Sequence, residues 1–302
     1  MVKNNHVLIT GMQRSGTTFT AQILRNSGAF TYLPEPFNPD YGIEGVDSHY
    51  SWVDLENMDD KNKLLLHKLF TYNARFKNNY ARDSIIKKTA KYILGTTAER
   101  RYKLQGLFNK KNCRFLIKDP DAVFLSEYIA QNFNCQVLFI IRHPCAVLAS
   151  YKRLEWDIDF HPIMKMDLIH DNPILNYTSK IKNDKITLIE KVAILWVVIN
   201  KKFSVYTRRN TDRMMIRHED LCRTPDSTFK EIYDWADLKY TPKIRKNIYN
   251  MTNTNNPVKA RNNRLHDFSR NSEKLVDSWK SKIDDKERAV IRNITEPVSS
   301  LY

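Results

Sequence analysis

The sequence predicts an α/β fold: a P-loop-containing parallel sheet flanked by helices on both faces. Three observations predict it. Short runs of continuous apolar residues, HVLIT (6–10), RFLIK (114–118) and QVLFIIR (136–142), alternate with stretches of helical character, and unbroken apolarity marks strands buried on both sides of a parallel sheet. The first run leads straight into the glycine-containing GMQRSGTT (11–18) and then into a helix. The chain has 302 residues, 42% apolar and 27% charged, which is enough to bury a core without disulfides and excludes collagen-like and disordered chains.

Taken in order, the strand 6–10 is followed by a helix over 17–26 and another over 62–72. The strand 114–118 precedes a helix over 121–132, and the strand 136–142 precedes one over 144–154. A long helix covers 186–206, a weaker strand 214–217, and a helix 225–236. Such alternation places ligands at the carboxyl ends of the strands. The Asn-rich stretch 250–264 reads as a long surface loop, and the basic segment 250–302 as a mostly helical cap on a single domain spanning 1–302.

A formal net charge of +15 calls for an anionic partner: nucleic acid, an acidic polymer, a membrane surface or a phosphorylated cofactor. Nucleic acid is disfavoured, because no recognition motif or interleaving of aromatics along a basic stripe is visible. Cys113, Cys135, Cys145 and Cys222 form no C-x-x-C pair and have no partnered His spacing, so no metal site is expected and a reduced, cytoplasmic compartment fits. The polar start and the short apolar run 192–199 argue against a leader or membrane anchor.

In GMQRSGTT the spacing Gly11-x-x-x-x-Gly16 fits a loop whose backbone amides converge on an anion at a helix N-terminus. Nucleotide hydrolases follow the second glycine with Lys, which handles the outer phosphates. Here that position is Thr17, and the loop's cation is Arg14. This departure counts against an ordinary kinase or ATPase, for which Asp119 at a strand end would be the magnesium ligand.

RSGTT (14–18) after a first strand resembles the 5′-phosphosulfate loop of sulfotransferases that use 3′-phosphoadenosine 5′-phosphosulfate (PAPS). RHPCAVLASYKR (142–153) separates Arg142 from Ser150 by eight residues, as in that family's 3′-phosphate element. The likeness extends through EPFNP (35–39), KDPDAVF (118–124), RHEDLCRTP (217–225) and RNSEKLVDSWKSKI (270–283), and is greatest to bacterial carbohydrate-type members.

The resemblance implies PAPS as donor and adenosine 3′,5′-bisphosphate (PAP) as product, with no metal. It implies cofactor binding by Gln13, Arg14, Ser15, Gly16, Thr17, Thr18 and Phe19 of the loop, by Arg142 and Ser150, and by Arg270 and Ser272 of a closing C-terminal segment. Catalysis would use Arg14, Lys118 near the bridging oxygen, and a base. Glu35, twenty-one residues after Arg14, is the preferred base, with His143 and His161 as competitors. The acceptor would be a glycan or another hydroxyl-bearing molecule, acidic or already sulfated, lying against an insertion at 37–101. Tyr41, Tyr50, Trp52 and Tyr72 of that insertion are candidates either for stacking on sugars or for the core.

Overall fold

The computed structural model describes residues 5–50, 58–77, 99–100, 102–104, 106, 114–160, 163, 177–183, 185–207, 211–258 and 268–301. Five parallel strands form one sheet, β1 (His6–Thr10), β2 (Phe30–Pro34), β3 (Arg114–Lys118), β4 (Cys135–Ile141) and β5 (Arg213–Arg217), in the order β2-β3-β1-β4-β5. The register pairs Ile9 with Lys118 and with Leu138, Pro34 with Lys118, and Ile141 with Arg217. All five carboxyl ends therefore share one edge.

β3 and β4 are buried at every position, as their unbroken apolarity predicts. Successive side chains point to opposite faces, so each strand feeds two cores. Leu8, Phe115, Ile117, Val137 and Phe139 face one layer, which includes the buried Val192 to Ile199 of the helix Leu188–Thr207. Val7, Ile9, Leu116, Leu138 and Ile140 face the other, with α1 (Thr17–Arg25) and the helix Pro225–Trp235. Helices on both faces confirm the expected fold class.

β2 is a strand that the apolar pattern does not predict. FTYLP ends in proline and alternates half-buried with buried residues, so it lacks the continuous apolar run of an inner strand and occupies the sheet edge, where proline is tolerated. Two expected elements also change. The helix over 121–132 is a 3₁₀ turn, Asp121–Val123, followed by a helix Ser126–Asn132. The Asn-rich surface loop starts later than expected, because the helix Pro242–Thr252 runs into it.

Gly11 leaves β1 at φ 150°, and a Cβ built there would lie 2.3 Å from the Ile140 carbonyl oxygen on the neighbouring strand. Gly11→Ala is expected to lower stability by at least about 1 kcal/mol, because the clash is with backbone that cannot rotate away. Urea unfolding measures this, and an unchanged midpoint would show that the strand pair yields.

Candidate active site

The loop after β1 carries three positive φ angles within six residues, Gly11 at 150°, Arg14 at 72° and Gly16 at 100°. Such turns aim successive N–H groups into one concavity. Gly16 is the N-cap of α1 and supplies no side-chain cap, so the first-turn amides of Thr17, Thr18 and Phe19 are not satisfied by a capping side chain and the positive end of the helix faces the loop. A Cβ on Gly16 would stand 2.5 Å from His218 Cδ2, so only glycine lets the loop close against the buried His218. Ser15 and Thr17 are buried. The Phe19 ring packs edge-on to Phe229, a contact with the helix layer.

Arg142 follows β4 and is half-buried, with its Nε out of solvent. Its Nη1 donates to the Arg14 carbonyl at 2.8 Å, while its Nε has no hydrogen-bond partner among the described residues. Arg14 Nε in turn donates to Ser150 Oγ at 3.0 Å, and the guanidinium lies over the Trp156 ring, 5.5 Å from its centroid. The two elements that the sequence separates by more than a hundred residues are thus joined directly. Burial, reinforced by Arg153 and Arg142, pushes Arg14 down to about 10, which still leaves it a cation at neutral pH. Burial likewise lowers Arg142; Cys222 and Glu219 oppose this, and nearby Arg270 and Arg153 add to it. Lys282 is lowered by burial and by Arg153, Arg270 and Arg142. Arg14, Arg142, Arg153, Arg270 and Lys282 therefore crowd their positive charges together, an arrangement that a polyanion would relieve.

Across the sheet edge, Glu35 follows β2 at φ 47°, and its N–H donates to the Lys118 carbonyl at 2.7 Å. Lys118 Nζ donates to Glu35 Oε1, and the Tyr41 hydroxyl donates to Oε2. The Lys118 side chain is almost fully buried and Glu35 about one-fifth exposed, at 4% and 19%, so the carboxylate is the outer member of the pair. Asp119 is fully buried. Its two carboxylate oxygens accept the N–H groups of Phe37, at 2.6 Å, and Asp121, at 2.9 Å; burial raises its pKa. It fixes the turn that carries Glu35 and is not presented as a metal ligand.

A phosphate-type loop, an arginine held against it, and a Lys–Glu pair thus share one edge of a parallel sheet. The sulfotransferase family model matches residues 6–242, which contain all of these groups. The chain belongs to the sulfotransferase family. Among solved structures, the sulfotransferase domain of the curacin biosynthetic pathway is 14% identical, with a TM-score of 0.48 over 98% of this chain and 97% of that one. The sulfotransferase domain of a Synechococcus olefin synthase is 16% identical, with a TM-score of 0.45 over 96% and 94%. A mouse sulfotransferase complexed with PAP is 10% identical, with a TM-score of 0.46 over 97% and 84%. No curated protein sequence matches this sulfotransferase.

The C-terminal residues expected at the cofactor stand differently. Arg270 lies within electrostatic reach of Arg142 and donates through Nε to the Val258 carbonyl at 3.1 Å. The Ser272 hydroxyl lies 2.8 Å from the Cys222 carbonyl and 3.0 Å from that of Thr252, so its proton is engaged with backbone that it ties together. His143 caps the helix Pro144–Leu154, accepting the Cys145 N–H at Nδ1, and stacks on Trp279 at 4.4 Å. Burial lowers its pKa. His161 and Trp52 lie outside the described residues. Tyr50 and Tyr72 belong to the aromatic core, Tyr50 against Phe124 and Tyr72 against Phe115, whereas Tyr41 is exposed.

Three further residues of this sulfotransferase join the site without having been singled out from its sequence. Arg153 and Lys282 lie inside the two basic motifs, and only folding distinguishes them from solvated charges. His49, in the segment after Glu35, bonds Asp121 and carries no motif of its own.

Proposed function

We propose that the enzyme transfers the sulfuryl group of PAPS to a carbohydrate hydroxyl, by in-line displacement with Glu35 as general base. The observation that carries the donor assignment is Arg142, a half-buried arginine whose buried Nε has no partner among the described residues, set against the Arg14 loop. A doubly phosphorylated nucleoside satisfies both: the loop amides of Ser15 to Phe19 and the Arg14 side chain would take the 5′ end, and Arg142, with Ser150, Arg153, Arg270 and Lys282 around it, the 3′-phosphate. The carbohydrate acceptor is supported by the likeness of the EPFNP and C-terminal motifs to carbohydrate-type members.

When bound, PAPS supplies an activated sulfuryl group on a phosphate leaving group. The acceptor oxygen forms the new bond to sulfur while the bond from sulfur to the bridging oxygen breaks. Glu35 takes the acceptor's proton. Arg14 and Lys118 meet the charge left on the departing bisphosphate. Lys118 is held on Glu35 in the present structure, so its turning toward the bridging oxygen would also free the carboxylate to act as a base. The segment 37–101 would form the acceptor wall.

Incubation with labelled PAPS and a panel of glycans tests the reaction; absence of labelled sugar, with label passing to phenols only, would overturn the acceptor class. Transfer is also expected to continue in EDTA. The reason is that Arg14 and Lys118 provide the cations, and the Lys that nucleotide hydrolases need is replaced by Thr17. Activity abolished by chelation and restored by magnesium would instead favour a phosphotransferase.

A further inference from the structure

His49 lies within electrostatic reach of Glu35, and nothing in the transfer chemistry above uses it. Its Nδ1 lies 3.0 Å from Asp121 Oδ2, and its side chain is 46% exposed while that of Asp121 is 4% exposed. Asp121 is wired to the phosphate loop, because Gln13 Nε2 donates to its other oxygen at 3.1 Å. Gln13 is in turn held through its carbonyl oxygen by the hydroxyls of Tyr50 and Tyr151. The imidazole therefore has one fixed orientation: Nδ1 inward on a buried carboxylate, and Nε2 outward with no partner among the described residues. A ring anchored in this way presents a single hydrogen-bonding atom to whatever lies in front of it.

We propose that His49, oriented by Asp121, is an acceptor-reading residue and binds an anionic group, a carboxylate or sulfate ester, carried by the sugar beside the hydroxyl that is sulfated. The inference rests on the carbohydrate reading above and narrows it to acidic glycans.

The charged groups around His49 support a protonated ring. The Asp121 hydrogen bond raises its pKa above the ordinary histidine value against the opposing effect of burial, and Asp121, Asp40 and Glu35 act in the same direction by charge. Among the described residues the uncharged Tyr50 ring also stands near it, at 6.5 Å. In the protonated ring Nε2 is a charged donor, suited to an anionic oxygen; in the neutral ring, with Nδ1–H on Asp121, Nε2 becomes an acceptor and the match is lost.

The test uses the full-length enzyme, labelled PAPS, and two acceptors: an oligosaccharide with a uronic acid beside a free hydroxyl, and its carboxyl-reduced neutral counterpart. The ratio of kcat/KM for the acidic over the neutral sugar is expected to exceed one and to fall as pH rises through the imidazole titration. In His49→Gln the ratio should drop about tenfold to a hundredfold, the size of one lost charge-assisted hydrogen bond, and lose its pH dependence. PAP affinity reports that the variant is folded. A ratio unchanged in His49→Gln overturns the proposal, as does one that rises with pH, which is the behaviour of a base. Equal sulfation of the two sugars overturns it and leaves the carbohydrate reading standing. Sulfation of neither, with a phenol accepted, overturns both.

Discussion

Replacing Glu35 by Gln is expected to lower turnover about a hundredfold to ten-thousandfold while leaving PAP affinity nearly unchanged, the range that a positioned general base contributes. The substitution keeps the shape of the side chain and removes its basicity and its charge. The Glu35 N–H bond to the Lys118 carbonyl belongs to the backbone, and an amide oxygen can still accept from Tyr41, which reaches Oε2. Lys118 loses its anionic partner, so Lys118→Met is the companion variant: it also slows the reaction if Lys118 meets the leaving group, but leaves a carboxylate in place. Steady-state turnover and calorimetric PAP binding on the two variants separate the roles. Turnover within about threefold of wild type in Glu35→Gln would remove Glu35 from the proton transfer. His143 would be a weak substitute, because it is stacked on Trp279 and spends Nδ1 on a helix cap.

The inner strands and the phosphate loop were legible because each is specified locally. An unbroken apolar run can only be satisfied between two helical layers, and the Gly11–Gly16 spacing dictates a backbone path whatever lies around it. β2 was not legible, because an edge strand needs one apolar face only and FTYLP provides that ambiguously. The same distinction divides the site. Arg142 and Ser150 are tied to a strand end and to the first helical turns beyond it, so their spacing in sequence is also their spacing in space. His49 meets Asp121 across 72 residues of sequence, and the carboxylate it meets is held from its other oxygen by Gln13, itself bonded by Tyr50. Arg153 and Lys282 converge only once the C-terminal segment is folded back. Their convergence is electrostatically unfavourable without an anion, so no local rule of composition would have selected them.

Replacing Arg142 by Ala is expected to weaken PAP binding by about 1.5–3 kcal/mol, roughly tenfold to 150-fold in Kd, the value of a charge-assisted hydrogen bond. Adenosine 5′-phosphosulfate, which lacks the 3′-phosphate, should lose much less. The contrast between the two ligands matters more than either number. Arg142 also donates to the Arg14 carbonyl, so a variant that merely loosened the loop would weaken both ligands alike, since both enter by the 5′ end. A selective loss for PAP is the signature of a direct contact at the 3′-phosphate. Arg142→Lys refines the comparison: it retains the charge but cannot keep a donor on the Arg14 carbonyl and a fork toward a phosphate at the same time, so partial recovery is expected. Calorimetry with PAP, adenosine 5′-phosphosulfate and ATP on the wild type and both variants measures all of this. Equal affinity of the wild type for PAP and for nucleotides without a 3′-phosphate would mean that the Arg142 guanidinium serves the fold alone.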